Sequence, residues 1–270
     1  MIGTRLRTLL ASPGVTLAVA VVLGWLAIAV IWPLLVPYGP TAQQLGGRYA
    51  PPSAEHWLGT DNLGRDVLSR ILAGSRSVLI VGLASTTLGV AVGTTLGLVA
   101  GFYRGRVDEL LMRSLDLLMA FPIIVIASVI LAMLGPSRLN LVLVIALMLA
   151  PYNARVVRSA VLSWRDRDFV AAARLRGESG AYILFRELLP NIMGTVNVEF
   201  TMRLALSIFA VATLSFLGFG IQPPTPDWGL MVSEGRPFYQ IAPWVVVAPA
   251  AAIASLVVAI NVVAQRLRAS

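Results

Sequence analysis

The sequence predicts an all-α membrane protein in which six transmembrane helices form one polytopic bundle. Of the 270 residues, 57% are hydrophobic and only 13% are charged, whereas a soluble domain carries about 25% charged residues. The mean hydropathy is +0.82. Several apolar runs are about 20 residues or longer, which is enough to cross a hydrocarbon core of about 30 Å. These observations exclude an ordinary soluble domain.

Six apolar segments are predicted to be spans, and we place them at about residues 15–37, 78–102, 110–134, 139–161, 195–220 and 243–264. The first follows Arg5 and Arg7 but is longer than the apolar region of a secretory signal, which is about 7–15 residues. No small-residue cleavage site follows it, so it is expected to stay as an anchor. The chain is thus divided into an N-terminal segment 1–14, a single transmembrane domain 15–264 and a tail 265–270.

The residue types also limit the chemistry. The chain has no cysteine, and all 21 basic residues are arginine, so thiolate, Schiff-base lysine and P-loop lysine chemistry are excluded. The one histidine, His56, lies near Glu55, Asp61 and Asp66, and a single histidine makes a weak metal site. These acids are expected to brace turns instead, within a loop from Gly59 to Gly64. We therefore predict a chain that is not an enzyme and that holds no catalytic residue, cofactor or metal.

The distribution of arginine predicts the orientation. With the N-terminus in the cytoplasm, fourteen arginines lie in cytoplasmic segments and six in external ones; a further one, Arg203, lies within the fifth span. An excess of arginine in short loops marks the cytoplasmic side, so both termini are expected inside. The net charge of +8 is accordingly explained by the orientation of the chain in the membrane and is not interpreted as a sign of nucleic-acid binding.

One polar segment, residues 169–191, stands between the fourth and fifth spans. Ala171 to Arg176 are good helix formers. Gly177 is expected to break the helix and to permit close backbone approach, and Ser179 is expected to cap a second short helix. That helix has one apolar stripe and is expected to end at Pro190, because the residue before proline disfavours the α region. By itself the pattern leaves two alternatives, a helix lying on lipid headgroups and a helix that docks on another protein.

The segment resembles the EAA loop of the permease subunits of bacterial ABC importers, and residues 169–191 are called the EAA-like loop below. The spacing of Ala172, Ala173, Gly177, Leu189 and Pro190 carries the resemblance. Further positions match the peptide/nickel branch: Phe169, Val170, Arg174, Ser179, Ile183, Arg186 and Asn191. Ala171 departs from the family's leading glutamate, and Glu187 stands where this branch commonly has histidine.

Two other stretches resemble the same branch, and with the EAA-like loop they cover residues 55 to 230. One runs from His56 through Asp61 and Gly64 to Arg70, and the other from Ser215 to Gly229. The branch comprises the second permease type of dipeptide, oligopeptide and nickel importers. Near the C-terminus Leu267 and Arg268 fit the family pattern, but both acidic positions are missing.

The resemblance implies a type I importer fold in the bacterial inner membrane. It implies a second permease subunit as partner, two ATPase subunits on the cytoplasmic face that bind ATP and Mg²⁺, and an extracytoplasmic binding protein. The EAA-like loop would insert into the ATPase and couple ATP hydrolysis to transport. The residues expected to carry the coupling are Ala172, Ala173, Arg174, Gly177, Ser179, Ile183, Leu189 and Pro190.

Three further features lie inside the predicted spans. Small residues recur every four positions on the second span, at Gly89, Gly93, Gly97 and Gly101, which allows close helix packing; the neighbour is either a helix of the same chain or the partner permease. Arg113 and Asp116 are expected to pair with each other. Glu199 and Arg203, at i and i+4, are expected to form an ion pair that either braces the bundle or lines the pathway.

Other function classes fit less well. A secondary transporter would need ion-coupling groups and usually an internal repeat, and neither is visible. An intramembrane enzyme would need a catalytic constellation, which the missing residue types make hard to assemble. The substrate is left open between peptides, nickel and other small solutes of the same family.

Overall fold

A computed structural model of the protein describes residues 12–44 and 46–269. Most of the predicted N-terminal segment, with Arg5 and Arg7, lies outside the described residues, as does Ser270. Within them the chain is helical, and strand-like pairing is limited to one bridge between Thr60 and Asp66. The helices are α1 Pro13–Leu35, α2 Val67–Tyr103, α3 Gly105–Met119, α4 Ile123–Leu134, α5 Arg138–Trp164, α6 Asp168–Leu175, α7 Gly180–Phe216, α8 Trp228–Gly235 and α9 Trp244–Ala269.

Five of the described helices are long and apolar enough to cross a membrane: α1, α2, α5, α7 and α9. The predicted third span, 110–134, is not one helix. It is broken into α3 and α4, which meet at an angle of 84°. The break falls at Pro122, because Phe121 precedes a proline and is disfavoured in the α region. The bundle therefore has six spans only if the bent pair counts as one.

Two helices begin earlier than their apolar runs suggest. The first, α2, begins at Val67, where the Asp66 carboxylate caps it by accepting a hydrogen bond from the Ser69 amide at 2.7 Å.

The second, α7, begins at Gly180 and continues through Pro190 to Phe216, so the prediction that Pro190 ends a helix is wrong. A π turn over Ile183–Leu188 precedes the proline, and in it the Leu189 amide bonds to the Leu184 carbonyl. Such local π adjustments let a transmembrane helix pass a proline.

We define two ends of the bundle for use below. The arginine-rich end comprises residues 103–106 and 165–191, and the proline-rich end comprises residues 36–66 and 217–243. The helices α2 and α5 run parallel, both from the proline-rich end to the arginine-rich end. Between them α3 and α4 return the chain, and α7 carries it back from the arginine-rich end.

The glycine face of α2 is occupied by α5 of the same chain. A Cβ added at Gly93 would lie 2.5 Å from the Ala150 carbonyl oxygen, and one added at Gly97 would lie 2.5 Å from the Ala154 carbonyl oxygen. Gly89 and Gly101 meet the same helix, at Ala146 and Val161. The sequence left two neighbours open for this face, a helix of the same chain and the partner permease. The structure shows a helix of the same chain, α5.

Ion pairs tie α3 to α5. Asp108 accepts hydrogen bonds from Arg158, and Asp116 accepts one from Arg155. Arg113 pairs with Glu109 at 2.7 Å, so the expected Arg113–Asp116 pair does not form. A partner on another helix competes with the neighbour on the same helix, and sequence spacing alone does not reveal that partner.

Charged residues brace the proline-rich end. His56 Nδ1 lies 3.0 Å from the Asp66 carboxylate, and both side chains are buried. Asp61 accepts hydrogen bonds from the Leu63 and Arg65 amides and from the Arg65 guanidinium. The acids near His56 thus hold turns in place, and no group of three or more His, Asp or Glu suited to a metal occurs in residues 12–44 and 46–269.

The helix α8 is held against α2 and α7 at the same end. Trp228 is fully buried and donates a hydrogen bond to the Ile71 carbonyl at 2.9 Å. A Cβ at Gly229 would lie 2.2 Å from the Ala212 carbonyl oxygen. Asp227 caps α8 through the Leu230 amide at 3.0 Å. Burial raises the pKa of Asp227 to about 6, although the hydrogen bond from Leu230 acts in the opposite direction.

We predict that Gly97→Ala destabilises the protein while Gly24→Ala does not. The new methyl group at Gly97 would overlap the Ala154 carbonyl, whereas nothing lies within 4 Å of a Cβ at Gly24. Overpacking costs about 1–3 kcal/mol, which exceeds the helix-propensity gain of about 1 kcal/mol that alanine brings at both sites. Thermal unfolding of the two purified variants in detergent measures this. Equal melting temperatures for both would show that the close approach of α2 and α5 is not required.

We predict that Asp227→Asn raises the melting temperature at pH 7.5 and weakens its dependence on pH. Because the folded-state pKa lies above the unfolded value, the folded protein binds more protons between about pH 4 and pH 6, and stability falls as pH rises through that window. A shift of about two units corresponds to about 3 kcal/mol. Asparagine retains an oxygen for the Leu230 amide and carries no charge. An unchanged slope of melting temperature between pH 5 and 7.5 would contradict the prediction.

Candidate functional site

The EAA-like loop folds as a helix, a turn and the start of a second helix. The first helix is α6, and its C-terminus is closed by two backbone hydrogen bonds, from Gly177 to Arg174 at 3.0 Å and from Glu178 to Ala173 at 3.2 Å. This pair of bonds is the Schellman motif. Gly177 takes φ +75°, a conformation that costs little only for glycine. The predicted break at Gly177 is therefore a defined turn.

The surroundings of Gly177 differ from expectation. The sequence predicted that glycine allows another backbone to come close, but nothing lies within 4 Å of the position that its Cβ would take. Within the described chain the glycine is thus required for its dihedral angle, and the space above it is open.

Ser179 begins the second helix. Its hydroxyl accepts a hydrogen bond from the Tyr182 amide at 3.2 Å, and its carbonyl accepts one from Ile183 at 3.0 Å. Ser179 is therefore the N-cap of α7, as its residue type and position indicated.

The loop is anchored to the bundle by a set of fully or almost fully buried side chains. Their partners are Leu98 and Phe102 at the end of α2 and Val157 and Val161 at the end of α5. Burying one such aliphatic side chain is worth about 1.5–3 kcal/mol, so the loop is held firmly. The anchoring side chains are Val170, Ala173, Ile183, Leu184 and Leu188.

Arg165 fixes the approach to the loop. Its guanidinium donates hydrogen bonds to the Gly101 and Phe102 carbonyls at the C-terminus of α2. The hydrogen bond that Arg165 donates to Asp166, supported by the nearby Arg104, lowers the pKa of the Asp166 carboxyl. The end of α2 and the end of α5 are thereby tied together directly beneath the loop.

Two of the arginines in the loop are committed to internal contacts. The Arg174 guanidinium lies over the Phe102 ring at 5.3 Å. Arg176 pairs with Glu187 at 3.1 Å and lies 3.6 Å from Glu178. Glu187, one of the two departures from the family pattern, therefore joins the turn to α7. Ala171, the other departure, is exposed.

The outward face of the loop contains large apolar side chains beside its exposed arginines. Leu175, at the last turn of α6, is 90% exposed, and Tyr182 and Phe185 of α7 are 40% and 47% exposed. Sequence reasoning missed Leu175 because it treated the residue only as a helix former. The available signal was its position five residues after Val170, which is off the buried stripe of α6.

The predicted coupling residues divide into two groups. Ala172, Arg174, Gly177, Ser179 and Pro190 are exposed, and Leu189 is half-buried. Ala173 and Ile183 are buried in the anchor. The structure thus places six of the eight where an external partner could reach them and two where they hold the loop to the bundle.

The Glu199–Arg203 pair lies on α7 beside a cavity of about 520 Å³. Arg203 donates to the Glu199 carboxylate at 2.6 and 3.0 Å, and its guanidinium also lies over the Tyr152 ring at 5.3 Å. Arg268 of α9 lines the same cavity. The two residues therefore form an ion pair and also line a space large enough for a small solute.

Comparison with known proteins places the chain among membrane transport components. Residues 93–269 match a family described as the inner membrane component of binding-protein-dependent transport systems. This match begins in the glycine face of α2 and includes the whole EAA-like loop.

Three similar relatives were found over most of the chain. The dipeptide transport system permease protein DppC of Alkalihalophilus pseudofirmus is 39% identical over 92% of this chain and 82% of its own. The glutathione transport system permease protein GsiD of Pectobacterium atrosepticum is 44% identical over 80% of this chain and 72% of its own. The di/tripeptide transport system permease protein DppC of Pseudomonas aeruginosa is 40% identical over 89% of this chain and 81% of its own.

Because the family match covers more than half of the chain, and these relatives are aligned over most of their own length, the chain belongs to the family of binding-protein-dependent transport system inner membrane components.

Proposed function

We propose that this chain is one of two permease subunits of an ATP-driven importer of short peptides, and that the EAA-like loop couples it to an ATPase. The observation that carries the proposal is the construction of the loop. Its inner side is anchored in the bundle, and its outer side presents Leu175 at 90% exposure. An element built this way transmits force between the bundle and whatever binds its outer side.

The exposed face favours a protein partner. A leucine that is 90% exposed gains about 1.5–3 kcal/mol when a partner buries it. A helix that lies on lipid headgroups usually presents its basic residues along the polar face, but here Arg174 lies over Phe102 and Arg176 pairs with Glu187. Of the three arginines in the loop, Arg186 is exposed without an ion pair among the described residues. The loop is therefore better suited to a cleft on a protein than to a membrane surface.

In the proposed orientation the arginine-rich end and both termini are cytoplasmic. The excess of arginine in the segments at this end supports that orientation. The ATPase subunits, which bind ATP and Mg²⁺, then meet the EAA-like loop in the compartment where ATP is available. The proline-rich end faces outward, toward the binding protein.

Short peptides are the proposed substrate. Relatives at 39–44% identity are named for dipeptide, di/tripeptide and glutathione transport, and all of these solutes are peptides. Nickel is the second candidate, because the resemblance of the sequence extends to nickel importers. The cavity beside Glu199 and Arg203 is a candidate part of the pathway, which the second permease subunit would complete.

We predict that Leu175→Ser greatly reduces co-purification with the ATPase. The substitution removes apolar contact area at the exposed end of α6 and leaves the buried anchor unchanged. Leu110→Ser on α3 is the matched control, since Leu110 is 69% exposed and lies outside the loop. The measurement is the ATPase-to-permease ratio after affinity purification from membranes. Equal ratios for wild type, Leu175→Ser and Leu110→Ser would contradict the docking role of Leu175.

We predict that Gly177→Leu uncouples the importer. A leucine at φ +75° is strained by about 1–2 kcal/mol and fills the open space above the turn. Uptake of radiolabelled di- and oligopeptides into proteoliposomes should fall at least about tenfold while ATP hydrolysis continues. Gly105→Leu is the control, because Gly105 also has positive φ and open space at the arginine-rich end. Normal peptide uptake by Gly177→Leu would refute the coupling role. Uptake of nickel but not of peptide by the wild type would show that nickel, and not a peptide, is the substrate.

A further inference from the structure

A second cavity lies at the proline-rich end. It has a volume of about 400 Å³, within the range of about 300–1,000 Å³ that is usual for small-molecule pockets. Its walls come from the end of α1, the segment 40–41, the first turns of α2, the start of α5 and the segment 224–226. Five separate parts of the chain therefore line it, and it is distinct from the cavity beside Glu199 and Arg203.

The charge in this cavity is positive and unpaired. Arg76 of α2 and Arg138 of α5 both line it, and its lining contains no aspartate or glutamate. Among residues 12–44 and 46–269, Arg76 forms no ion pair, and Arg138 forms only a long hydrogen bond of 3.4 Å to the Thr225 hydroxyl. Arginine does not lose its charge in proteins, so both guanidinium groups remain cationic.

Trp32 also lines the cavity. Its indole Nε1 is shielded from solvent and has no hydrogen-bond acceptor among the described residues, so this atom does not face the open space. The cavity thus presents two cations and provides no negative charge to balance them.

Arginines elsewhere at this end are of two kinds, because Arg48 and Arg236 form no ion pair among the described residues whereas Arg65 and Arg70 do. Arg65 and Arg70 lie within 4 Å of carboxylate oxygens of Asp61 and Glu234, which form a mixed cluster of two cations and two anions. Local structure therefore neutralises one pair of arginines and leaves the pair in the cavity without an anion. Two guanidinium groups without a carboxylate partner can bind an oxyanion with several acceptor atoms through charge-assisted hydrogen bonds.

We propose that the Arg76–Arg138 cavity binds a carboxylate of the solute at the outer mouth of the pathway, beside the Trp32 side chain that lines it. The inference rests on the proposed function and narrows it to peptides with a free carboxylate. A lipid phosphate presents similar oxygens to the same donors, and the experiment below separates the two sources by varying the solute and the lipid independently.

The test uses the intact importer with its binding protein. Wild type, Arg76→Gln/Arg138→Gln and the control Arg48→Gln/Arg236→Gln are reconstituted, and the control removes the same number of charges from the proline-rich end outside the cavity. One readout is uptake of dialanine at limiting concentration. The other is the fluorine NMR signal of 5-fluorotryptophan at Trp32, assigned with Trp32→Phe, during titration with dialanine or its C-terminal amide. Each titration is run in nanodiscs of phosphatidylcholine alone and in nanodiscs that also contain phosphatidylglycerol.

We expect dialanine, but not its amide, to shift the Trp32 signal in both lipid compositions. The shift should be lost in Arg76→Gln/Arg138→Gln, whose uptake should fall about tenfold or more, because a hydrogen bond to a charged group is worth about one tenfold step or more. The control should stay within about twofold of wild type. The inference is overturned if the Trp32 signal changes with lipid composition but not with dialanine. It is also overturned if uptake by Arg76→Gln/Arg138→Gln equals uptake by the control. If the wild type imports no peptide, the proposed function itself fails.

Discussion

The close approach of α2 to α5 is the constraint on which the rest of this structure depends. Lipid tails are as apolar as leucine, so helices in a membrane gain little from the hydrophobic effect and associate through close packing. At Gly93 and Gly97 the two backbones approach until even a methyl group would overlap a carbonyl of α5. Asn153 adds a polar link across the same contact, since its side-chain amide donates to the Val90 carbonyl at 2.9 Å. The two helices therefore behave as a single parallel unit.

This unit reaches both ends of the molecule. At the arginine-rich end, Arg165 at the end of α5 holds the carbonyls that terminate α2, and Phe102 supports the loop. At the proline-rich end the same two helices supply the two arginines of the Arg76–Arg138 cavity. In the proposed importer, this pair of helices would pass a displacement of the EAA-like loop to the cavity. This geometry would link the ATPase surface to the site that meets the solute.

Local rules predicted the parts of the site that are determined by a few neighbouring residues. The capping role of Ser179 and the break at Gly177 follow from residue type and position, and the structure contains both. The same kind of rule failed at Pro190, because a π turn before the proline lets Leu189 remain helical. It failed again at Arg113, where Glu109 and a second helix change the pairing. At Pro190 the rule for the residue before proline does not include the π turn, and at Arg113 the prediction considered Asp116 but neither Glu109 nor Arg155.

The Arg76–Arg138 cavity could not be predicted from the sequence, and the reason is physical. Its lining residues Trp32, Arg76 and Arg138 are more than forty positions apart along the sequence, and each alone has an ordinary explanation near a membrane interface. Only the parallel packing of α2 and α5 brings the two arginines to one level, and only the fold shows that no carboxylate accompanies them. Arg76 and Arg138 are exposed and have no anionic partner in the cavity, so both remain available to an anionic ligand. A transporter that releases its solute can use such a site, since a binding group that its own structure satisfied would have no affinity left for cargo.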